Sequence, residues 1–136
     1  MSADSRHARP WMKPLRHRNA WLALWLLGIT GVIVVCLMPG PDLPDLRVSD
    51  KLEHALAFAL LAASAVQLFE RGRALVAVAF GLLALGIGIE LAQGLLTTTR
   101  DMDAADVLAD SVGIVAGLSI ALTPLRNLLI RIAGRA

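Results

Sequence analysis

A chain of 136 residues that is 57% hydrophobic and 18% charged, with a mean hydropathy of +0.67, is too apolar for an ordinary soluble domain of this size and has the composition of a membrane protein. Its single cysteine, Cys36, excludes an intramolecular disulfide framework and a Cys-rich zinc site. The 13 Lys and Arg against 11 Asp and Glu leave a formal charge of only +2, and the bases gather at the chain's ends and in one short connection, which excludes a nucleic-acid-binding face.

Residues 1–19 form a basic segment. A bilayer-spanning helix needs about 20 mostly apolar residues, and residues 20–38 supply the first such run, free of charge and closed by Pro39, Gly40, Pro41 and Pro44. It is long for a signal-peptide core and no small-x-small cleavage site follows it, so it is expected to remain as an anchor. Ile33, Val34 and Val35, before Cys36, are too bulky for a lipoprotein cleavage site. The second span, residues 51–69, is polar at its start through Lys51, Glu53 and His54 and near its end through Gln67. The third, residues 74–96, is apolar until Glu90 and Gln93 in its final two turns. The fourth, residues 104–124, has Asp106 and Asp110 early and an apolar, glycine-containing remainder. Short polar connections make the second and third spans, and the third and fourth, antiparallel neighbours. In the tail, residues 125–136, Leu125, Leu128, Leu129 and Ile132 alternate with Arg126, Arg131 and Arg135, which fits either an amphipathic end or a plain basic tail. The expected fold is an all-α integral membrane four-helix bundle.

Lys and Arg are retained on the cytoplasmic side of short loops. Arg6, Arg9, Lys13, Arg16 and Arg18 precede the first span, Arg71 and Arg73 separate the second from the third, and Arg126, Arg131 and Arg135 follow the fourth, leaving Arg47, Lys51 and Arg100 for the other side. Four spans with both termini cytoplasmic therefore satisfy the rule. The acids sort the opposite way, and the chemistry is expected at the outer face.

Residues three, four and seven apart share a helix face. This groups Lys51, His54 and Phe58; Glu90, Gln93 and Thr97; and Asp103, Asp106, Asp110, Gly113 and Gly117. Three helices thus bring ionisable groups to comparable depth, where each alone would cost about 2.5 to 3.5 kcal/mol at mid-bilayer, so mutual pairing inside the bundle is expected. The same residues also admit plainer readings. Asp50 with Glu53, and Asp103 with Asp106, fit capping boxes. Gly113 and Gly117 fit close helix packing. His54, Glu90, Arg100 and Asp110 fit a structural ion-pair network holding no ligand.

Asp50-Lys51-x-x-His54-x-x-x-Phe58, then Glu90-x-x-Gln93, Arg100, Asp106, and Asp110-Ser111-x-Gly113-x-x-x-Gly117 together resemble the VanZ-like family of small multi-pass membrane proteins. The resemblance covers residues 39–117, and it is the order and spacing of the set, not any one piece, that carries it. Many relatives have Asn where this chain has Asp110, which adds a negative charge to the cluster. The resemblance implies a multi-pass protein of the bacterial cytoplasmic membrane acting in the cell envelope, in a family named for an accessory member of glycopeptide-resistance gene sets linked to teicoplanin tolerance. It implies no known reaction.

Three mechanisms follow. In the first, Lys51, His54 and Arg100 bind the anionic head group of a lipid or lipid-linked envelope precursor while Glu90, Gln93, Asp103, Asp106 and Asp110 orient them, the planar Arg fork suiting phosphate or carboxylate. In the second, an enzyme acts on such a substrate with His54 as general acid or base and Glu90 or Asp106 as its orienting partner. No Ser or Cys nucleophile motif is present. One His and three carboxylates also have the donor types for a divalent ion, but nearby Lys51 and Arg100 oppose one, and no metal or cofactor is expected. The third, proton-coupled transport, needs a polar path across the whole membrane, and the inner halves offer only Ser64, Gln67, Ser119 and Thr123, so it would require an oligomer.

Overall fold

A computed structural model of the chain describes residues 10–38, 49–98 and 102–136. It is all-helical: α1 (Arg18–Leu37), α2 (Asp50–Leu68), α3 (Arg73–Leu96) and α4 (Ala104–Ser119), followed by two 3₁₀ turns, Ile120–Leu122 and Pro124–Asn127, and a short α5 (Leu128–Ala133). Four helices, counting Ala104–Leu122 as one, are long and apolar enough to cross a membrane. The four spans expected from hydropathy lie within two residues of these at their starts and at the first three ends. The fourth differs: its α-helix stops at Ser119, because Pro124 has no N–H and biases Thr123 to an extended backbone, and the chain tightens into a 3₁₀ turn before it.

The burial pattern is that of a protein with an apolar surround. Leu60, Phe80 and Val115 are exposed, whereas His54, Glu90, Gln93, Asp106 and Asp110 are buried. The tightest contact joins α2 and α4. A Cβ on Gly113 would run into the Ala55 carbonyl, and one on Gly117 into the Ala59 carbonyl and to 2.7 Å from the Ala62 Cβ. The G-x-x-x-G spacing is therefore used for backbone approach, which sets the separation of the two helices that carry most of the polar residues.

α1 is apolar on every side and buries only Cys36 among its residues. It leans on the bundle through Trp25, Ile29, Val32 and Ile33. The Trp25 indole N–H donates to the Leu61 carbonyl at 3.0 Å, and its ring meets Phe69 edge-on at 5.5 Å.

At the end of the bundle opposite the polar residues, residues 10–17 and the tail form a strap. The Lys13 N–H donates to the Leu68 carbonyl at 2.8 Å, the Glu70 N–H to Trp11 at 3.0 Å, the Arg16 N–H to Gly134 at 3.1 Å, and the Ala136 N–H to Pro14 at 3.1 Å. Leu15 is fully buried beneath it. The Lys13 ammonium donates to the carbonyl of Val66, in the last turn of α2, at 2.6 Å and to that of Arg126, supplying donors where a helix end leaves its carbonyls without intrahelical partners. Burial pushes the Lys13 ammonium below the ordinary lysine value, opposed by the nearby Glu70 carboxylate. Gln67 completes this end, donating to the Leu125 carbonyl and accepting the Leu129 N–H, both at 3.1 Å.

Candidate functional site

The start of α2, the end of α3 and the start of α4 meet at one end of the bundle, and the polar residues meet there. α2 begins one residue earlier than a capping box on Asp50 would place it. Ser49 is the cap, its hydroxyl accepting the Leu52 N–H at 3.3 Å, so Asp50 occupies the first helical position and its carboxylate is not needed as the cap. α4 is capped by Asp103, whose carboxylate accepts the Ala105 N–H at 2.8 Å. The return half of that box is not made by Asp106. The Asp103 N–H is taken at 2.8 Å by Glu90 Oε2, reaching across from α3. Asp106 is thereby released to face α2.

Its partner there is Lys51, which lies 2.6 Å from Asp103 Oδ2 and 3.4 Å from Asp106 Oδ1. The Lys51 ammonium, with the Ala105 N–H, holds the Asp103 carboxyl below the ordinary carboxylate range. One turn deeper, His54 Nδ1 lies 3.0 Å from Asp110 Oδ1, both side chains almost wholly buried. The carboxylate hydrogen-bonded to His54 is thus Asp110, on the adjacent helix, where the sequence expectation named Glu90 or Asp106 as its orienting partner. Phe58, fully buried, packs below this pair.

Among the described residues, three buried polar atoms in this cluster have no hydrogen-bond partner: His54 Nε2, Glu90 Oε1 and Asp110 Oδ2. Gly86 explains the room given to the last. Any Cβ there would run into Asp110 Oδ2, so α3 carries hydrogen at a position where Asp110 comes against it. The sequence reading did not single out Gly86, although it lies one turn before Glu90 on the same face.

The expected residues divide accordingly. Lys51, Asp103 and Asp106 form one group, His54 and Asp110 a second, and Glu90 ties α3 to α4 beside both. Gln93 is buried on the same face but donates its amide to the Cys36 carbonyl at 2.9 Å, joining α3 to the end of α1. Thr97 donates back to the Gln93 carbonyl at 2.8 Å. Arg100 lies outside the described residues. Among the described residues the cluster has a surplus of acid. A histidine oriented by a carboxylate, with its second nitrogen unengaged, can take up or release a proton, or donate a lone pair, at that nitrogen. Comparison with models of protein families, with characterised proteins and with solved structures gives no match to this chain.

Proposed function

We propose that this chain is a VanZ-like cell-envelope protein of the bacterial cytoplasmic membrane, inserted by four spans with both termini cytoplasmic, and that it binds the head group of an anionic lipid or lipid-linked envelope precursor at the polar end of the bundle. The observation that carries the reading is the set of unpartnered buried atoms, His54 Nε2, Glu90 Oε1 and Asp110 Oδ2, contributed by three helices at one end. A network built only for packing leaves few buried polar atoms without partners, because each costs about 1–3 kcal/mol. Three together favour a site whose remaining bonds are made to a ligand, the two carboxylate oxygens accepting from its hydroxyl or amine donors and not meeting its anionic group. Among the described residues Lys51, at the mouth, is a cation beside the cluster, Arg100 is a second expected from the sequence alone, and the family resemblance links such a role to tolerance of teicoplanin-type glycopeptides.

A second reading, catalysis on the same substrate, is favoured by one specific contact, that of Asp110 with His54 Nδ1, since a carboxylate fixing one ring nitrogen leaves the other poised for acid-base chemistry. Lipidomic comparison of envelopes with and without the protein separates the two. Binding predicts unchanged lipid species with altered glycopeptide susceptibility; catalysis predicts a covalently changed species. No change in either composition or susceptibility removes both.

A further inference from the structure

We propose that Asp50, His54 and Asp106 form a binding site for a divalent transition-metal ion, with zinc as the best-fitting class. Each of the three brings a ligand-type atom to within 4.8 Å of the others, a spread that one ion bonded to all three at about 2.0–2.2 Å can span with small side-chain adjustment. Asp50 and His54 are four residues apart and share a face of α2, and Asp106 faces them from α4.

An acidic cluster alone would not indicate an ion; the histidine does. His54 is 2% exposed, its Nδ1 is engaged by Asp110 Oδ1 at 3.0 Å, and its Nε2 is buried without a partner. A carboxylate accepting from one imidazole nitrogen while the other is left bare is the outer-shell arrangement that fixes the tautomer and orientation of a metal-bound histidine. It also gives Asp110, which engages the His54 ring at Nδ1, a defined place in the site. An imidazole with two carboxylates suits zinc better than magnesium or calcium, which prefer all-oxygen shells. Three protein ligands leave a fourth position open to water or to an anionic group.

Lys51 is the feature that opposed an ion on sequence grounds. Its ammonium, however, lies 2.6 Å from Asp103 and 3.4 Å from Asp106, and it is half exposed at the mouth. It therefore competes with an ion for Asp106, and removing it is expected to tighten ion binding.

The inference stands apart from the lipid reading, because it is tested on the purified, detergent-solubilised full chain with metal alone. After chelator treatment and its removal, Zn²⁺ binding is measured by titration calorimetry and by metal analysis after dialysis, with Co²⁺ as the spectroscopic substitute. One ion per chain is expected. Asp50 is exposed and not the helix cap, and asparagine keeps its size and a hydrogen-bonding oxygen, so Asp50→Asn is expected to fold, which circular dichroism and thermal denaturation in detergent check. It should bind Zn²⁺ more weakly than the roughly 10- to 100-fold loss typical of removing only an outer-shell partner. His54→Gln should abolish binding and the Co²⁺ spectrum, and Lys51→Gln should bind more tightly than the parent. Absence of stoichiometric Zn²⁺ in the parent, or parental affinity in folded Asp50→Asn, overturns the assignment even where His54→Gln fails to fold.

Discussion

The two carboxylate oxygens of Glu90 are not equivalent: Oε2 accepts the Asp103 N–H at 2.8 Å, while Oε1 is buried without a partner. A neutral amide at this position separates their roles. Glu90→Gln keeps an oxygen able to accept from Asp103 and nearly the same volume, so the start of α4 stays tied to α3, but the negative charge is gone. We expect Glu90→Gln to be expressed and inserted at near-parental levels and to be inactive in a glycopeptide susceptibility assay, whereas Glu90→Leu should lose both because the Asp103 N–H is left bare. Full activity in Glu90→Gln would show that only the hydrogen bond matters, and the site would then rest on His54 and its neighbours. At this scale the sequence was partly legible. Helical periodicity placed His54, Glu90, Asp106 and Asp110 on inward faces, because spacing within a helix is local. Which carboxylate meets His54 depends on the axial offset of α2 against α4, which no local pattern encodes.

That offset belongs to the helices, and two glycines set it. The α2–α4 contact is possible only because Gly113 and Gly117 present hydrogens to the carbonyls of Ala55 and Ala59. A methyl at Gly113 must push backbone, which cannot rotate away, so Gly113→Ala is expected to destabilise the bundle by about 1–3 kcal/mol and to separate His54 from Asp110. Gly81→Ala, where nothing lies within 4 Å of the added carbon, should be neutral or slightly stabilising, since alanine is the better helix former. Denaturation of the two variants in detergent micelles measures the contrast; equal stabilities would refute the packing account. The helices themselves were the most legible part of the chain, since composition and length alone mark a span. Their ends were less so: Ser49 and Asp50 are comparable caps by type, and the choice between them is made by where the first turn must sit against α4. The strap was not legible at all, because Lys13 and Leu15 find their partners across the whole chain and carry no periodic signal.

Taken whole, the molecule is polarised. Asp50, Glu53, Glu90, Asp103, Asp106 and Asp110 gather toward one end, and Lys13, Arg16, Arg18, Arg71, Arg73, Arg126, Arg131 and Arg135 toward the other. With Lys and Arg retained on the cytoplasmic side of short loops, this asymmetry supports the proposed orientation, acidic end outward. A reporter active only outside the cytoplasm should therefore work when fused after Leu46 or Thr98 and fail after Arg71 or Ala136; the reverse pattern would turn the site to the cytoplasm and refute the outer-leaflet reading. The strap at the basic end has a consequence in time as well as in space. The contact of Lys13 with Leu68 can close once α2 has been synthesised, whereas those of Pro14 with Ala136 and Arg16 with Gly134 must wait until the residues beyond α5 exist. Sealing of the basic end therefore waits for the residues beyond α5, and a chain arrested after α4 would hold its four long helices while Leu15 still lacked the strand-like pairing with Arg135 that helps cover it.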